Sequence, residues 1–260
     1  MPPRPTARLA LVLSALSAFA LVAGACGGGG GGGSGSGAAA TGSAASGTSA
    51  PTDSADASAA PSTEAPEPEP KPGGTVVFGI ESDTTNPWRP AEVGCAASCY
   101  QVLRSVFDQL VVTTTDGGWA PYLAESVTPN ADFTTWTIKV RPGITFHDGT
   151  PLDGAAVVEN LERARNGFLT KSALQDVASI AVNAADPLAA DVMLSRSVTE
   201  LPLGLVGQIG LIASPTWLKA SDTDDSLKSK PVGTGPFIFD GYAPNEYFKA
   251  KRNPDYWNKP

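Results

Sequence analysis

Histidine occurs once in the 260 residues, cysteine three times and methionine twice. A single histidine, His147, leaves imidazole-based catalytic pairs with one candidate and no partner in sequence reach. Three scattered cysteines are too few for a disulfide scaffold and too poorly arranged for a zinc cage. Basic charge is scarce as well: 18 Lys and Arg against 26 Asp and Glu give a net charge of −8. That balance argues against a nucleic-acid partner, because phosphate binding needs a basic surface. An acidic balance keeps an exported protein soluble and by itself implies no cationic ligand. Nucleophile elbows of the Gly-x-Ser-x-Gly kind, His-Glu-x-x-His helices and paired catalytic carboxylate motifs are all missing. The sequence therefore offers no catalytic residues, no metal set and no cofactor motif, and it is read as a non-enzyme.

What is present falls into three stretches. Residues 1–26 read as an export signal: Arg4 and Arg8 supply a positive start, and Leu9 to Val22 an apolar run too short to span a bilayer comfortably. The segment ends Val22-Ala23-Gly24-Ala25-Cys26, small residues before a cysteine. This resembles the lipobox of bacterial lipoproteins, with Ala23 in place of the usual Leu. Cys26 is then the lipidation site and the tie to the membrane; the rival reading is ordinary cleavage beside an incidental cysteine. Residues 27–72 open with seven glycines and continue in Ser, Ala, Thr and Pro. So few large apolar residues cannot offset the entropy of ordering, and the segment is expected to be a disordered tether. As a random coil it spans roughly 35–40 Å.

Residues 73–260 are the expected folded domain. Thr75 to Ile80 is a β-rich run, read as the first strand of a central sheet. Ser98 to Leu110 repeats apolar residues at helical spacing. Thr135 to Val140 alternates apolar and polar residues as a half-buried strand does. Pro142-Gly143 breaks it, Ile144 to Phe146 resumes an extended run, and His147-Asp148-Gly149 turns the chain. Asp153 is placed to cap a helix that buries Val157, Val158 and Leu161 and ends at Asn166-Gly167. A short helix at Ser172–Val177, strands at Ile180–Asn183 and Asp191–Leu194, a helix at Leu201–Val206 and a buried strand at Gly210–Ala213 follow. Ser214 with Pro215 starts another helix. Strands at Phe237–Tyr242 and Tyr247–Lys251 close the pattern around a turn at Pro244-Asn245.

Two long strings carry a resemblance. The first holds Leu123-Ala124-Glu125-Ser126, Trp136, Val140-Arg141-Pro142-Gly143, Phe146-His147-Asp148-Gly149, Pro151 and Leu161-Glu162-Arg163-Ala164. The second holds Val232-Gly233-Thr234-Gly235-Pro236-Phe237 and Arg252-Asn253-Pro254-Asp255-Tyr256-Trp257. Together they resemble the family 5 extracytoplasmic solute-binding proteins, the peptide, dipeptide and nickel receptors of ABC importers. Val127 departs from the pattern, where Trp is frequent.

The resemblance implies an α/β fold of the type II periplasmic-binding-protein kind, a mixed-sheet lobe with a small subdomain. Members of the family continue well past the Asn-Pro-Asp-Tyr-Trp string, so the second lobe is expected to be missing from this chain. It also implies a lipid-anchored receptor on the outer face of the cell membrane. Such a receptor captures oligopeptide- or dipeptide-like solutes, works as a monomer and delivers its solute to membrane permease subunits. A ligand-sensing or scaffold lipoprotein of the same fold is the alternative.

Within this frame Glu81 and Ser82, followed by Asp83, lie just past the first strand, where an α/β lobe gathers ligand. With Trp88 and Tyr100 they form the expected ligand-binding set. Cys95 and Cys99 flank the start of a helix, and in an exported protein a local disulfide is the expected state, with free thiols and a metal as alternatives. His147 is read as a turn-maker, with nickel binding as its alternative. Gly233-Thr234-Gly235 is a tight turn, since no Lys-Ser/Thr follows to make it a phosphate loop.

Overall fold

The computed structural model describes residues 73–84, 88–94 and 96–259. The export signal, Cys26, the tether and Cys95 lie outside the described residues. Helix α1 spans Ala97–Val106, followed by short strands β1, Val111–Thr113, and β2, Trp119–Pro121. Strands β3, Ala124–Pro129, and β4, Thr135–Val140, form a hairpin, and α2 covers Gly154–Asn166. Next come β5, Val177–Val182, β6, Ala189–Leu194, the single-turn α3, Leu201–Gly204, and α4, Pro215–Ser221. A ribbon of β7, Phe237–Ala243, and β8, Tyr247–Arg252, ends the order.

The largest sheet has the order β3-β4-β6-β5, and its strand pairs are antiparallel. It is a one-sided sheet, and β4 shows why. Trp136, Ile138 and Val140 point inward and are buried, while Thr135, Thr137 and Lys139 lie on the outer face and are half-buried. Lys139 there bridges Glu125 and Asp186. Helix α2 covers the inner face. Its start is fixed by Asp153, whose carboxylate accepts the Ala156 N–H at 2.9 Å, and Val157 and Leu161 are buried beneath it. Asn160, on the same face, donates to the carbonyls of Ala156 and Ala213 and accepts the Ala213 N–H. This side chain ties α2 to the chain segment beyond it.

A second apolar cluster lies around α1. It joins Leu103, Val106 and Phe107 to Trp88, Val93, Cys99, Leu211, Ala213, Trp217 and Leu218. Ser214 caps α4 by accepting the Trp217 N–H, with Pro215 in the first helical position. Segment 210–213 is buried but pairs only through one bridge, Gln109 to Leu211.

Several expectations need correction. The helix read at Ser172–Val177 is only a tight turn at Lys171–Leu174, and Val177 already begins β5, where it pairs with Leu194. Thr75–Ile80 forms no strand, and Val76 and Val77 are 91% and 92% exposed. A strand exists through hydrogen-bonded partners, and residues 75–80 pair with none of the described strands. The Ser98–Leu110 helix is shorter at its far end, because Phe107 is already extended and Asp108 to Leu110 turn to face segment 210–212. Strands β1, β2 and β3 lie in a stretch to which no strand was assigned from sequence.

Candidate functional site

Of the expected ligand-binding residues, Ser82 meets the start of α1. Ser82 and Ser98, the latter in the first turn of α1, share a hydroxyl contact of 3.0 Å, and Ser98 also donates to the Ser82 carbonyl. Asp83 is held by the tip of the β7–β8 ribbon: its Oδ2 accepts the Tyr242 hydroxyl at 3.0 Å and the Asn245 N–H at 2.7 Å. Asn245 sits at φ +60°, the left-handed turn geometry that asparagine tolerates. Burial, reinforced by the Asp83 carboxylate, pushes the Tyr242 phenol up to about 12. With Asp83 so engaged, the Glu81 side chain stands exposed and Ser82 half-buried at the surface.

Tyr100 and Trp88 are placed differently. The Tyr100 hydroxyl donates to Gln208 Oε1 at 3.0 Å, and Gln208 Nε2 donates to the carbonyls of Pro90 and Val93. Burial raises the Tyr100 phenol pKa, with Arg104 acting weakly the other way. The ring therefore keeps its proton and remains a donor. Trp88 is only 1% exposed. Tyr242 and Phe248 meet its ring edge-on at 5.3 and 5.1 Å. In this structure Trp88 offers no surface to a ligand and instead packs against the β7–β8 ribbon. Ser82 is thus tied to Ser98 at the start of α1, Tyr100 to Gln208, and Trp88 to the ribbon aromatics Tyr242 and Phe248. Gln208 escaped sequence reasoning, and only an amide inside an otherwise apolar Leu201–Ile212 stretch signals it.

Cys99 is disulfide-bonded. Among the described residues no group of three His, Cys, Asp or Glu side chains is placed to hold a metal.

A second polar centre joins the two motif strings. His147 donates its backbone N–H to the Gly233 carbonyl at 2.9 Å, and its Nε2 lies 2.9 Å from the Gly235 carbonyl. The Gly233 N–H points at Nδ1, 3.4 Å away. Both glycines press against α1: a Cβ on Gly233 would lie 2.1 Å from the Val106 carbonyl oxygen, and one on Gly235 2.6 Å from it. Between them, Thr234 donates to Asp108, which also accepts from Trp257 Nε1 at 2.8 Å and from the Tyr256 hydroxyl. Burial raises the Asp108 carboxyl pKa, against those three hydrogen bonds and the His147 ring. His147 thus holds the Gly233–Gly235 turn beside it.

The polar contacts of the 82–83 segment tie it to the start of α1 and to the β7–β8 ribbon. Comparison with known proteins gives the chain a family. Residues 118–260 match the bacterial extracellular solute-binding proteins, family 5 Middle, and the chain belongs to that family. The glutathione-binding protein GsiB of Shigella flexneri serotype 5b (strain 8401) is 33% identical over 138 residues, 52% of this chain and 26% of that protein. The nickel-binding periplasmic protein of Escherichia coli (strain K12) is 30% identical over 158 residues, 59% of this chain and 30% of its own length. The chain thus spans under a third of the length of either relative. Among solved structures, the periplasmic binding protein AgaA of A. tumefaciens R10, in complex with agropinic acid, superposes with a TM-score of 0.61 at 26% identity. That match covers 68% of this chain and 35% of AgaA. These neighbours place the fold among type II periplasmic binding proteins.

Proposed function

We propose that this chain is part of a lipid-anchored substrate-binding protein of an ABC importer, one that captures peptide-like solutes outside the membrane and delivers them to a permease. The observation that carries the reading is the family membership over residues 118–260. Relatives named for glutathione and nickel support small solutes as the cargo class. Glutathione is itself a small peptide, which favours the peptide-like end of that range.

In this reading Glu81 and Ser82 meet the solute, Tyr100 orders the wall beside them, and Trp88 stiffens the β7–β8 ribbon. An exposed carboxylate next to hydroxyl groups suits the ammonium and amide groups of a short peptide. Cys26 carries the acyl anchor, the 27–72 tether gives the domain reach, and Cys99 closes its disulfide on Cys95 at the mouth of α1. The domain works as a monomer and needs no cofactor.

Calorimetric titration of the protein, in the full length its gene encodes, against short peptides, glutathione and nickel chelates tests the cargo. Peptide-like binding that falls at least about tenfold in Glu81→Ala is expected, the loss of one charged hydrogen bond. Silence across all three ligand classes overturns the reading. Acyl labelling that survives in the natural sequence and vanishes in Cys26→Ala tests the anchor. Non-reducing peptide mapping tests the Cys95–Cys99 pair.

A further inference from the structure

The contact between the two motif strings is built around one proton. Gly235 O accepts from His147 Nε2 at 2.9 Å and from Asn253 Nδ2 at 3.1 Å, and the Asn253 N–H donates to Pro236 O at 2.7 Å. This is the root of the β7–β8 ribbon, where β7 leaves and β8 returns. With Nε2 facing a carbonyl and Nδ1 facing the Gly233 N–H, the contacts fit one species: the neutral ring carrying its proton on Nε2. A second proton would have to sit on Nδ1, where a donor would oppose a donor.

We propose that His147 is the pin of an acid-sensitive clasp: protonation at Nδ1 by solvent expels the Gly233 N–H and opens the Gly233–Gly235 turn, freeing the root of the β7–β8 ribbon.

The charged groups acting on the ring are Asp108, from the segment after α1, and Asp148 of its own turn. Both are already engaged. Asp108 accepts from Thr234, Tyr256 and Trp257. Asp148 accepts the Ser214 hydroxyl at 2.5 Å and the Thr150 N–H at 3.0 Å. An imidazolium would therefore pull acceptors away from the contacts that keep the turn closed. Burial lowers the pKa of the ring, against the Gly235 contact and the two carboxylates. The sign follows: below the ordinary histidine range the open state binds more protons than the clasped one, so acid favours opening. Asp108, raised by burial, contributes in the opposite direction over its own, more acid window.

One histidine in the chain makes the test unambiguous. Nitrogen-15 NMR of the imidazole is expected to show the Nε2–H tautomer at about pH 7.5. Amide hydrogen exchange at residues 233–236 and 252–254, corrected for the intrinsic pH dependence, is expected to speed up severalfold as pH falls from about 7.5 to about 5. In His147→Gln this pH dependence should vanish while circular dichroism stays unchanged. An Nδ1–H tautomer, or a ring that titrates without moving those amides, overturns the proposal. So does a His147→Gln variant that keeps the acid response. If that variant fails to fold, the tautomer and the amide titration of the natural sequence decide alone.

Discussion

Asn160 shows how much one side chain can hold. It is buried, and both its amide nitrogen and its oxygen are spent on the backbone of Ala213, with Ala156 as a third partner. Asn160→Ala leaves the Ala213 N–H and carbonyl without partners in a dry environment. The expected cost is about 2–4 kcal/mol in urea unfolding, because an unsatisfied buried group costs its full desolvation. Gly233 is limited by space instead of by hydrogen bonding. A methyl there meets the Val106 backbone oxygen at 2.1 Å and the Phe107 ring at 2.7 Å. Helical backbone cannot retreat, so Gly233→Ala should cost about 3 kcal/mol or more, measured the same way. Such residues were unequally visible in the sequence. Asp153, with an apolar run behind it, announced its cap, and Gly-Thr-Gly announced a tight turn. Asp108 announced nothing, since a carboxylate beside apolar residues reads as a surface charge until Thr234, Tyr256 and Trp257 are brought over it.

Between elements, two arginines converge on one carboxylate. Asp222, just past α4, accepts from Arg163 of α2 through both oxygens and from Arg89 of the 88–94 loop at 2.7 Å. The Arg163 guanidinium first, and Arg89 after it, hold this carboxyl down at about 2. A lowered folded-state value means the contribution is complete above the ordinary aspartate range near 3.9 and is lost as pH falls through about 2. Asp222→Asn is expected to cost about 1 kcal/mol at neutral pH, a modest figure because the carboxylate is partly exposed to solvent. The deficit relative to the natural sequence should close as unfolding is followed down from about pH 4 toward 2. At this scale α2, α4, β4 and both ribbon strands were legible, since each combines clean periodicity with a cap or turn residue. Strand β3 was not. A register shift between Ala124 and Ser126 interrupts its alternation, and Pro129 ends it. Its pairing is set by β4, so the information lies in another part of the chain.

Across the whole described region, apolar surface is distributed unevenly. The four-stranded sheet and α2 enclose one core and α1 another, yet Val76, Val77 and Phe78 stand in solvent. Sequence pattern alone assigned this run to a sheet, and it has the composition of a buried strand. What the pattern could not supply is a neighbour, and an unpaired β-prone run is a template for pairing between molecules. The outer strand β5, Val-Ala-Ser-Ile-Ala-Val, carries no charge of its own and is guarded mainly by Arg165, which donates to the Ala178 carbonyl. Both features point to association through strand edges. Replacing Val76 and Phe78 together by Lys is expected to suppress concentration-dependent light scattering, because charge on an open strand opposes edge pairing. The same double variant should shift the urea unfolding free energy by less than about 0.5 kcal/mol, as neither side chain packs into either core. A parallel loss of stability would mean that the run is packed within the fold in solution. Unchanged scattering would assign the association to β5 instead, where Ile180→Lys is no control because Ile180 is buried. Ala181→Lys, on the exposed side of the same strand, is the substitution that separates the two edges.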